Sequence, residues 1–394
     1  MTDPSLGPDS PIIGIVGAGT MGAGIAQIAL EHGHEAVLYD VDEEAIARGR
    51  LRVREGLARR AAKLDLDAET IDDWVEGRLA GLREAEALVS LAAQTDIVIE
   101  AALEVLALKQ DIFRALDGEA DPDAILATNT SALRVADVAA LATHRERILG
   151  LHFFNPAPLM PLVEVVVTAE TDPAVVERAE RLLRSWDKTP VRSADRPGFI
   201  VNRVNRPFTI EALRLLESGE ASVEAVDAAL RDTGFPMGPF ELMDLVGIDV
   251  NLAAARGVWD GLGRPDRLRP STIQERLVDE GRLGRKTGSG FYLYEDGRRE
   301  SVAPEFAGAA TTLAPTVIAD RILLAVINEA WHALGDEVAS EADIDLALRL
   351  GAAHPIGPFE RTGRLGGTNA VVAALERLAA SDDRFTPADA LRGR

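Results

Sequence analysis

The chain has 394 residues, 47% hydrophobic and 27% charged, with no cysteine and a formal net charge of -22. A chain of this length buries an ordinary core and should divide into two or three domains. Its charge repels nucleic acid and anionic membrane, so any anionic ligand needs a local basic patch. Six scattered histidines without cysteine have no metal-ligand spacing, so no metal is expected. No apolar run reaches membrane-spanning length, and Met1-Thr2-Asp3-Pro4 lacks the basic and hydrophobic character of a secretory leader, which makes the cytoplasm the expected setting.

Strands and helices alternate through the first half. Ile12 to Val16 predicts a short buried strand, Met21 to about His32 an apolar-periodic helix closed at Gly33, and Glu35 to Tyr39 a second strand ending at Asp40. Between the first two lies Gly17-Ala18-Gly19-Thr20-Met21-Gly22. Gly17 permits a tight turn, Gly19 lets backbone approach a pyrophosphate, and Gly22 lets helix and strand pack closely, while the helix N–H groups around Thr20 and Met21 meet the phosphates. Asp40, twenty-three residues after Gly17, is placed to accept from ribose hydroxyls. A 2′-phosphate would face Asp40, Asp42, Glu43 and Glu44, so NAD is favoured over NADP.

The next helix is basic: Arg48, Arg50, Arg52, Arg54, Arg59, Arg60 and Lys63 fall within sixteen residues. Helical spacing puts Arg48, Arg52, Arg59 and Lys63 near one face and Ile46, Val53, Leu57 and Leu64 near another. The arginines either balance acidic neighbours or hold an anion. Further strands are predicted at Asp96 to Glu100, Ala124 to Ala127, Ile148 to Leu151 and Leu162 to Thr168, with the sheet ending near Val191. The fold class is therefore α/β, a Rossmann-type doubly wound domain over residues 1–197. Ligands of such sheets gather beyond the carboxyl ends of the strands, which directs attention to Glu104, Lys109, Asn129, Thr130, Ser131, His152 and Asn155. Taken singly these have plain alternatives: Asn129 or Ser131 capping a helix near Leu133, Asn155-Pro156 shaping a turn.

His152 closes one strand and Glu164 lies in the next, so the two can meet as an oriented base of the kind alcohol oxidation requires. The alternative is a satisfied core histidine and a surface glutamate. A carboxylate among Leu162, Val163, Val165, Val166 and Val167 fits that poorly, because burying it unpaired is costly.

After Pro197 helices dominate. Phe199 to Gly219 reads as one long helix, and Ser222 caps a second that contains Asp227. Pro236-Met237-Gly238-Pro239 breaks and restarts the chain, and a first all-α domain spans 198–297. Residues 298–394 form a second, degenerate copy. Ile318-Ala319-Asp320-Arg321 aligns with Ile200-Val201-Asn202-Arg203, Asn328-Glu329-Ala330 with Ile210-Glu211-Ala212, Asp345 with Asp227, and Pro355 to Glu360 with Pro236 to Glu241, at an offset of 118 and then 119 residues. Two tandem all-α domains thus follow the α/β domain. Because Asp320 replaces Asn202, the second copy is expected to be structural.

The stretches Ala127-Thr128-Asn129-Thr130-Ser131-Ala132-Leu133, Gly150-Leu151-His152-Phe153-Phe154-Asn155-Pro156, Leu162-Val163-Glu164-Val165 and Pro197-Gly198-Phe199-Ile200-Val201-Asn202-Arg203 closely resemble the 3-hydroxyacyl-CoA dehydrogenase family, in order and spacing, from Gly17 to about Tyr294. The segment Gly281 to Tyr292 resembles that family's closing loop. The resemblance implies that His152 is the general base, Glu164 its partner, and Ser131 and Asn202 the polar groups holding substrate and dyad. It implies cofactor contacts at Asp40, Glu104, Lys109, Asn129, Ser131 and Asn155. For coenzyme A it points to the helix after the second strand, with Arg52, Arg59 and Lys63 as regional candidates, and to Lys109. Single-copy relatives pair their helical domains between subunits, so the duplicated chain is expected to be a monomer with an internal pseudo-dimer, or else a homodimer.

The expected activity is NAD-dependent oxidation of a (3S)-3-hydroxyacyl-CoA. The alternatives are a 3-dehydrogenase of a sugar acid or other hydroxy acid without CoA, from which the Arg48 to Lys63 patch separates it, and a non-catalytic NAD-binding protein, which Ser131, His152, Glu164 and Asn202 together disfavour. Arg196 and Arg206 flank Asn202 and are candidates to meet an ω-carboxylate.

Overall fold

The computed structural model describes residues 10–64 and 67–393, so the leader reading at Met1 to Pro4 falls outside the described residues. The chain forms two compact units, Met1–Asp195 and Arg196–Arg394.

The first unit is built on an eight-stranded sheet of order β3-β2-β1-β4-β5-β6-β7-β8. Its strands are β1 (Ile13–Val16), β2 (Ala36–Tyr39), β3 (Leu82–Glu84), β4 (Ile97–Glu100), β5 (Ile125–Thr128), β6 (Ile148–Phe153), β7 (Leu162–Val167) and β8 (Thr189–Ala194). All neighbours run parallel except β6 and β7, which are antiparallel. Every residue of β1, β4 and β5 is buried, which is why these strands read as unbroken apolar runs. β3 was not expected: it has three residues at the sheet edge, of which only Leu82 is buried.

Helices α1 (Thr20–Glu31), α2 (Glu43–Ala61), α3 (Ala68–Leu79), α4 (Leu88–Ala92), α5 (Leu106–Glu119), α6 (Val135–Val138) and α7 (Pro173–Ser185) complete this unit. Ile25, Ile28, Val53 and Leu57 from α1 and α2 join Ile13, Ile15 and Leu38 in one core. α1 and α2 approach so closely that a Cβ on Gly56 would lie 1.9 Å from Gln27 Oε1. Neither Asn129 nor Ser131 caps α6. The Asp195 carboxylate accepts from Val135 N and Ala136 N at 2.8 and 2.9 Å, from sixty and fifty-nine residues away.

The second unit contains α8 (Val201–Val204), α9 (Arg206–Glu217), α10 (Val223–Asp232), α11 (Pro239–Val246), α12 (Ile248–Gly261), α13 (Thr272–Asp279), α14 (Pro315–Gly335), α15 (Glu341–Gly351), α16 (Pro358–Arg364), α17 (Thr368–Ala379) and α18 (Asp389–Arg392). The long helix expected from Phe199 to Gly219 breaks at Asn205, because Pro207 in the first turn of α9 has no N–H for the preceding ladder. Ser222 caps α10 as expected, accepting from Ala225 N at 3.2 Å. An antiparallel hairpin, β9 (Tyr292–Glu295) with β10 (Arg298–Val302), accompanies these helices. Its turn residues Asp296 and Gly297 have φ of +47° and +72°, the left-handed pair a two-residue hairpin needs.

The two helical copies repeat each other in detail. Asp227 accepts from Phe240 N and Glu241 N at 2.9 and 3.2 Å, and Asp345 accepts from Phe359 N and Glu360 N at 2.8 and 2.9 Å. Both copies also exchange ion pairs. Arg203 meets Glu329 at 2.8 Å while Arg321 meets Glu211 at 3.5 Å; Arg267 meets Glu329 at 2.7 Å while Arg384 meets Glu211 at 2.8 Å. Residue i of one copy contacts j of the other, and j contacts i, which is the pattern of an isologous interface within one chain. No helix among the described residues is long and apolar enough to cross a membrane.

Candidate active site

Strand order reverses between β1 and β4, so the carboxyl ends of β1, β4, β5 and β6 open onto one crevice. Gly17 follows β1 with φ +104°, and any Cβ there would meet Ala101 O at 2.6 Å. A Cβ on Gly22 would lie 1.8 Å from Gly17 O, whereas one on Gly19 would have nothing within 4 Å. Two of the three glycines are therefore sterically obligatory and the middle one faces open space. Gly19 is the N-cap of α1 with no side-chain capping bond, which leaves the N–H groups around Thr20 and Met21 for an anion. Asp40 accepts from Ala18 N at 2.8 Å and from Asp42 N at 3.2 Å, and each oxygen keeps a lone pair for a ribose hydroxyl. Asp42 itself caps α2 through Glu44 N at 2.9 Å. These residues fit a dinucleotide with a free 2′-hydroxyl.

A buried polar chain links the ends of β4 and β5, and sequence reasoning found only part of it. Glu100, 0% exposed, accepts from Lys109 Nζ at 2.6 Å, Ala102 N at 2.7 Å and the Thr128 hydroxyl at 2.7 Å. Lys109 also lies 3.3 Å from Glu104, which accepts from the Thr130 hydroxyl at 2.5 Å, Ser131 N at 2.9 Å and Ala132 N at 3.1 Å. Burial works against the Glu104 carboxylate, but Lys109, Thr130 and the two N–H groups outweigh it and hold it ionised below its ordinary range. The chain thus fixes the Thr128 to Ala132 turn that presents Ser131. Lys109 is 1% exposed and its ammonium is engaged by Glu100 and Glu104, so it acts here as a brace, with no surface turned toward a phosphate. The signal for Glu100 was a carboxylate ending an all-apolar strand.

Asn129 Oδ1 accepts from Phe153 N at 2.8 Å, tying the end of β5 to β6 beside His152. His152 and Glu164 are register partners on β6 and β7, and Nδ1 lies 2.6 Å from Glu164 Oε2. Both are buried, Glu164 at 0% exposure, and the Phe154 ring lies 4.6 Å from the imidazole. The carboxylate selects the tautomer with the proton on Nδ1, which makes Nε2 the basic nitrogen.

A cavity of about 720 Å³ lies beside this crevice, lined by Thr20, Gly24, Gln27, Arg52, Arg59, Arg60, Lys63, Asn155, Pro158 and Lys188 among others. The basic helix divides its charges. Arg48 pairs with Asp42 and Glu44, Arg50 with Glu84 and Arg54 with Glu76, so these balance neighbours. Arg59 reaches Glu55 only at 3.7 Å with both side chains mostly exposed. Arg52 and Lys63 have no acid partner among the described residues and face the cavity. Lys188 donates to Ala157 O, Pro158 O and Met160 O at 2.7, 3.3 and 2.9 Å, bracing the loop after Asn155, and burial lowers its pKa. Asn202 lies on α8 in the second unit, half-buried. Among the described residues no cluster of histidine, aspartate and glutamate could hold a metal ion.

The model of the 3-hydroxyacyl-CoA dehydrogenase NAD binding domain matches residues 12–196, and that of the 3-hydroxyacyl-CoA dehydrogenase C-terminal domain matches residues 198–294 and 317–393. The chain is 37% identical to the 3-hydroxyadipyl-CoA dehydrogenase of Escherichia coli over 97% of each protein. It is 42% identical to the mitochondrial hydroxyacyl-coenzyme A dehydrogenase of Rattus norvegicus, over 71% of this chain and 90% of that one. The crystal structure of a 3-hydroxybutyryl-CoA dehydrogenase from Escherichia coli superposes with a TM-score of 0.88 at 36% identity, covering 98% of both chains.

Proposed function

The chain belongs to the 3-hydroxyacyl-CoA dehydrogenase family and is an NAD-dependent oxidoreductase of 3-hydroxyacyl-CoA; from that premise we propose that the buried His152-Glu164 pair is its general base and acts on the (3S)-hydroxyl. The observation that carries this reading is the 2.6 Å contact between register partners of β6 and β7 at the mouth of the crevice. The chemistry that bound NAD supplies is acceptance of a hydride from C3. His152 Nε2 takes the hydroxyl proton as that C–H bond breaks and C=O forms, and Glu164 stabilises the resulting imidazolium. In reduction the imidazolium returns the proton. The Ser131 hydroxyl is a proposed donor to the substrate oxygen. Gly17, Gly19, Thr20, Met21, Gly22 and Asp40 are the proposed cofactor contacts, with Asn129 and Glu104 holding the turns around Ser131 and His152 and Asn155 bordering the cavity.

Coenzyme A is proposed to lay its phosphates along Arg52, Arg59 and Lys63. Support comes from the cavity those residues border and from the absence of acid partners for Arg52 and Lys63 among the described residues. Replacing all three by glutamine should raise KM for acetoacetyl-CoA by about 10-fold or more while leaving NADH affinity unchanged; an unchanged KM would refute the patch. The direct test of the activity is NADH consumption with acetoacetyl-CoA, beside free acetoacetate and with NADPH in place of NADH. Turnover that needs both CoA and NADH is expected. Turnover of the free acid at equal efficiency would favour the hydroxy-acid reading.

The reciprocal ion pairs support a second proposal, that the helical copies form an internal pseudo-dimer and that the chain works as a monomer. Sedimentation should give about one chain's mass at micromolar concentration. An obligate dimer joined through the first helical copy would refute it.

A further inference from the structure

Of the 42 basic residues only four are lysines: Lys63, Lys109, Lys188 and Lys286. The surroundings of three of them suppress their chemistry. Lys109 is 1% exposed, its ammonium held by Glu100 and Glu104. Lys188 is 8% exposed and donates to the carbonyls of Ala157, Pro158 and Met160. Lys286 meets both oxygens of Asp249, at 2.6 and 2.8 Å, and an opposite charge so close favours the ammonium. A lysine attacks an electrophile only as the neutral amine, so both burial and a bound carboxylate work against it. Lys63 differs on each count. It lies in the turn after α2, is exposed, has no acid partner among the described residues, and lines the cavity of about 720 Å³.

That cavity draws anions to the amine. Its acids are Glu31, which pairs with Arg60 at 3.8 Å, and Asp187, 3.6 Å from His32. Arg52, Arg59 and Lys63 remain as a surplus of positive charge, and such a surplus raises the local concentration of phosphorylated solutes. Acyl phosphates are solutes of this kind that carry their own electrophile, because a single bridging oxygen joins the phosphorus to the acyl carbon. A phosphate seated among the three cations therefore brings an acyl carbon to the amine. The nitrogen bonds to that carbon, the bond from carbon to the bridging oxygen breaks, inorganic phosphate leaves with the electron pair, and the amine proton passes to it. The guanidiniums of Arg52 and Arg59 stay protonated and hold the phosphate without reacting. The product is a neutral amide where a cation stood.

We propose that Lys63 is a modification site for acyl phosphates, and that its acylation weakens the binding of acyl-CoA. The proposal rests on the reading that Arg52, Arg59 and Lys63 seat the phosphates of coenzyme A. It turns a phosphate anchor into a point of regulation.

The test treats the full chain with acetyl phosphate at mildly alkaline pH and follows each lysine by peptide mass spectrometry. Lys63 should gain its acetyl group ahead of Lys188 and Lys286, and free CoA should suppress the reaction. The acetylated protein should show KM for acetoacetyl-CoA raised about 3-fold or more, with NADH affinity unchanged. In Lys63→Arg, which keeps the charge but not the nucleophile, the same treatment should leave that variant's own KM where it began. Earlier modification of Lys188 or Lys286, no modification at all, no protection by CoA, or a KM shift that persists in Lys63→Arg would each overturn the proposal. Lys63→Gln separates its failure from that of the phosphate patch. A raised KM in that variant, with acetyl phosphate taking another lysine first, leaves the patch standing and defeats the proposal alone; an unchanged KM defeats Lys63 as a phosphate anchor and the proposal with it.

Discussion

Replacing Glu164 by glutamine removes one charge and almost no volume from a carboxylate that is 0% exposed and 2.6 Å from His152 Nδ1. In oxidation His152 begins neutral and ends as imidazolium, so the carboxylate stabilises the late state more than the early one. With charge centres about 4 Å apart and an effective dielectric constant of about 20, the attraction is roughly 4 kcal/mol. A transition state that has developed half or more of this charge loses about 2–4 kcal/mol, or roughly 30- to 10³-fold in kcat. Glutamine adds a second loss, because its amide can donate to Nδ1 and leave the proton on Nε2, the nitrogen that must accept; total losses of about 10²–10⁴-fold follow. The assay is steady-state turnover of acetoacetyl-CoA with NADH and of 3-hydroxybutyryl-CoA with NAD, beside NADH binding by fluorescence. A kcat within fivefold of the parent would refute the dyad. So would a fall in activity matched by an equal fall in NADH affinity, since that would mark damage to the sheet instead of loss of a base.

Gly22→Ala places a methyl 1.8 Å from Gly17 O, backbone that cannot move without opening the β1 turn, so NADH affinity should fall at least about 10-fold and stability by about 1–3 kcal/mol; unchanged NADH titration and melting would show the turn to be slack. Glu329→Gln takes from Arg203, 1% exposed, and from Arg267 their shared carboxylate, leaves Arg203 with Asp336 at 2.6 Å, and should destabilise the second unit by about 1–3 kcal/mol in urea unfolding. A loss below 1 kcal/mol would mean the reciprocal pairs are incidental. His354 is buried against Phe235 and hydrogen-bonded to Asn205 at 2.8 Å, and burial with Arg361 nearby pushes its pKa down to about 3. The unfolded chain takes up this proton as pH falls below the ordinary value of about 6.5, while the native chain resists it until about 3. The contribution is therefore present above pH 6.5 and lost toward pH 3, by up to about 1.4 kcal/mol per pH unit. His354→Gln should flatten that part of the acid profile; parallel urea-stability profiles for parent and variant between pH 7 and 4 would contradict the assignment.

The β1-turn-α1-β2 unit, the glycine roles and Asp40 were legible because each rests on short-range geometry: a buried strand, a positive φ, a helix start. The duplication was equally legible in Asp227 and Asp345, whose carboxylates do the same job in each copy. β3 escaped because three residues carry no period, and the β9-β10 hairpin because its Asp296-Gly297 signal was read as the end of a domain. Asp266-Arg267-Leu268 repeats as Asp383-Arg384-Phe385, yet only the fold reveals that each arginine crosses to the other copy's glutamate.

Residue types and their spacing along the chain determined the α/β unit, the nucleotide turn, the preference for NAD and the candidates His152 and Glu164. These follow from local sterics and from the period with which apolar side chains meet a core. Tertiary structure alone decided the pairings. It set the antiparallel register that brings Glu164 to His152, turned Lys109 inward onto Glu100 and Glu104, and separated the neutralised Arg48, Arg50 and Arg54 from Arg52 and Lys63. It also left Arg206 buried with no acid beside it among the described residues. Whether a charge is balanced depends on what other segments deliver to within a few ångströms, and sequence spacing does not encode that distance.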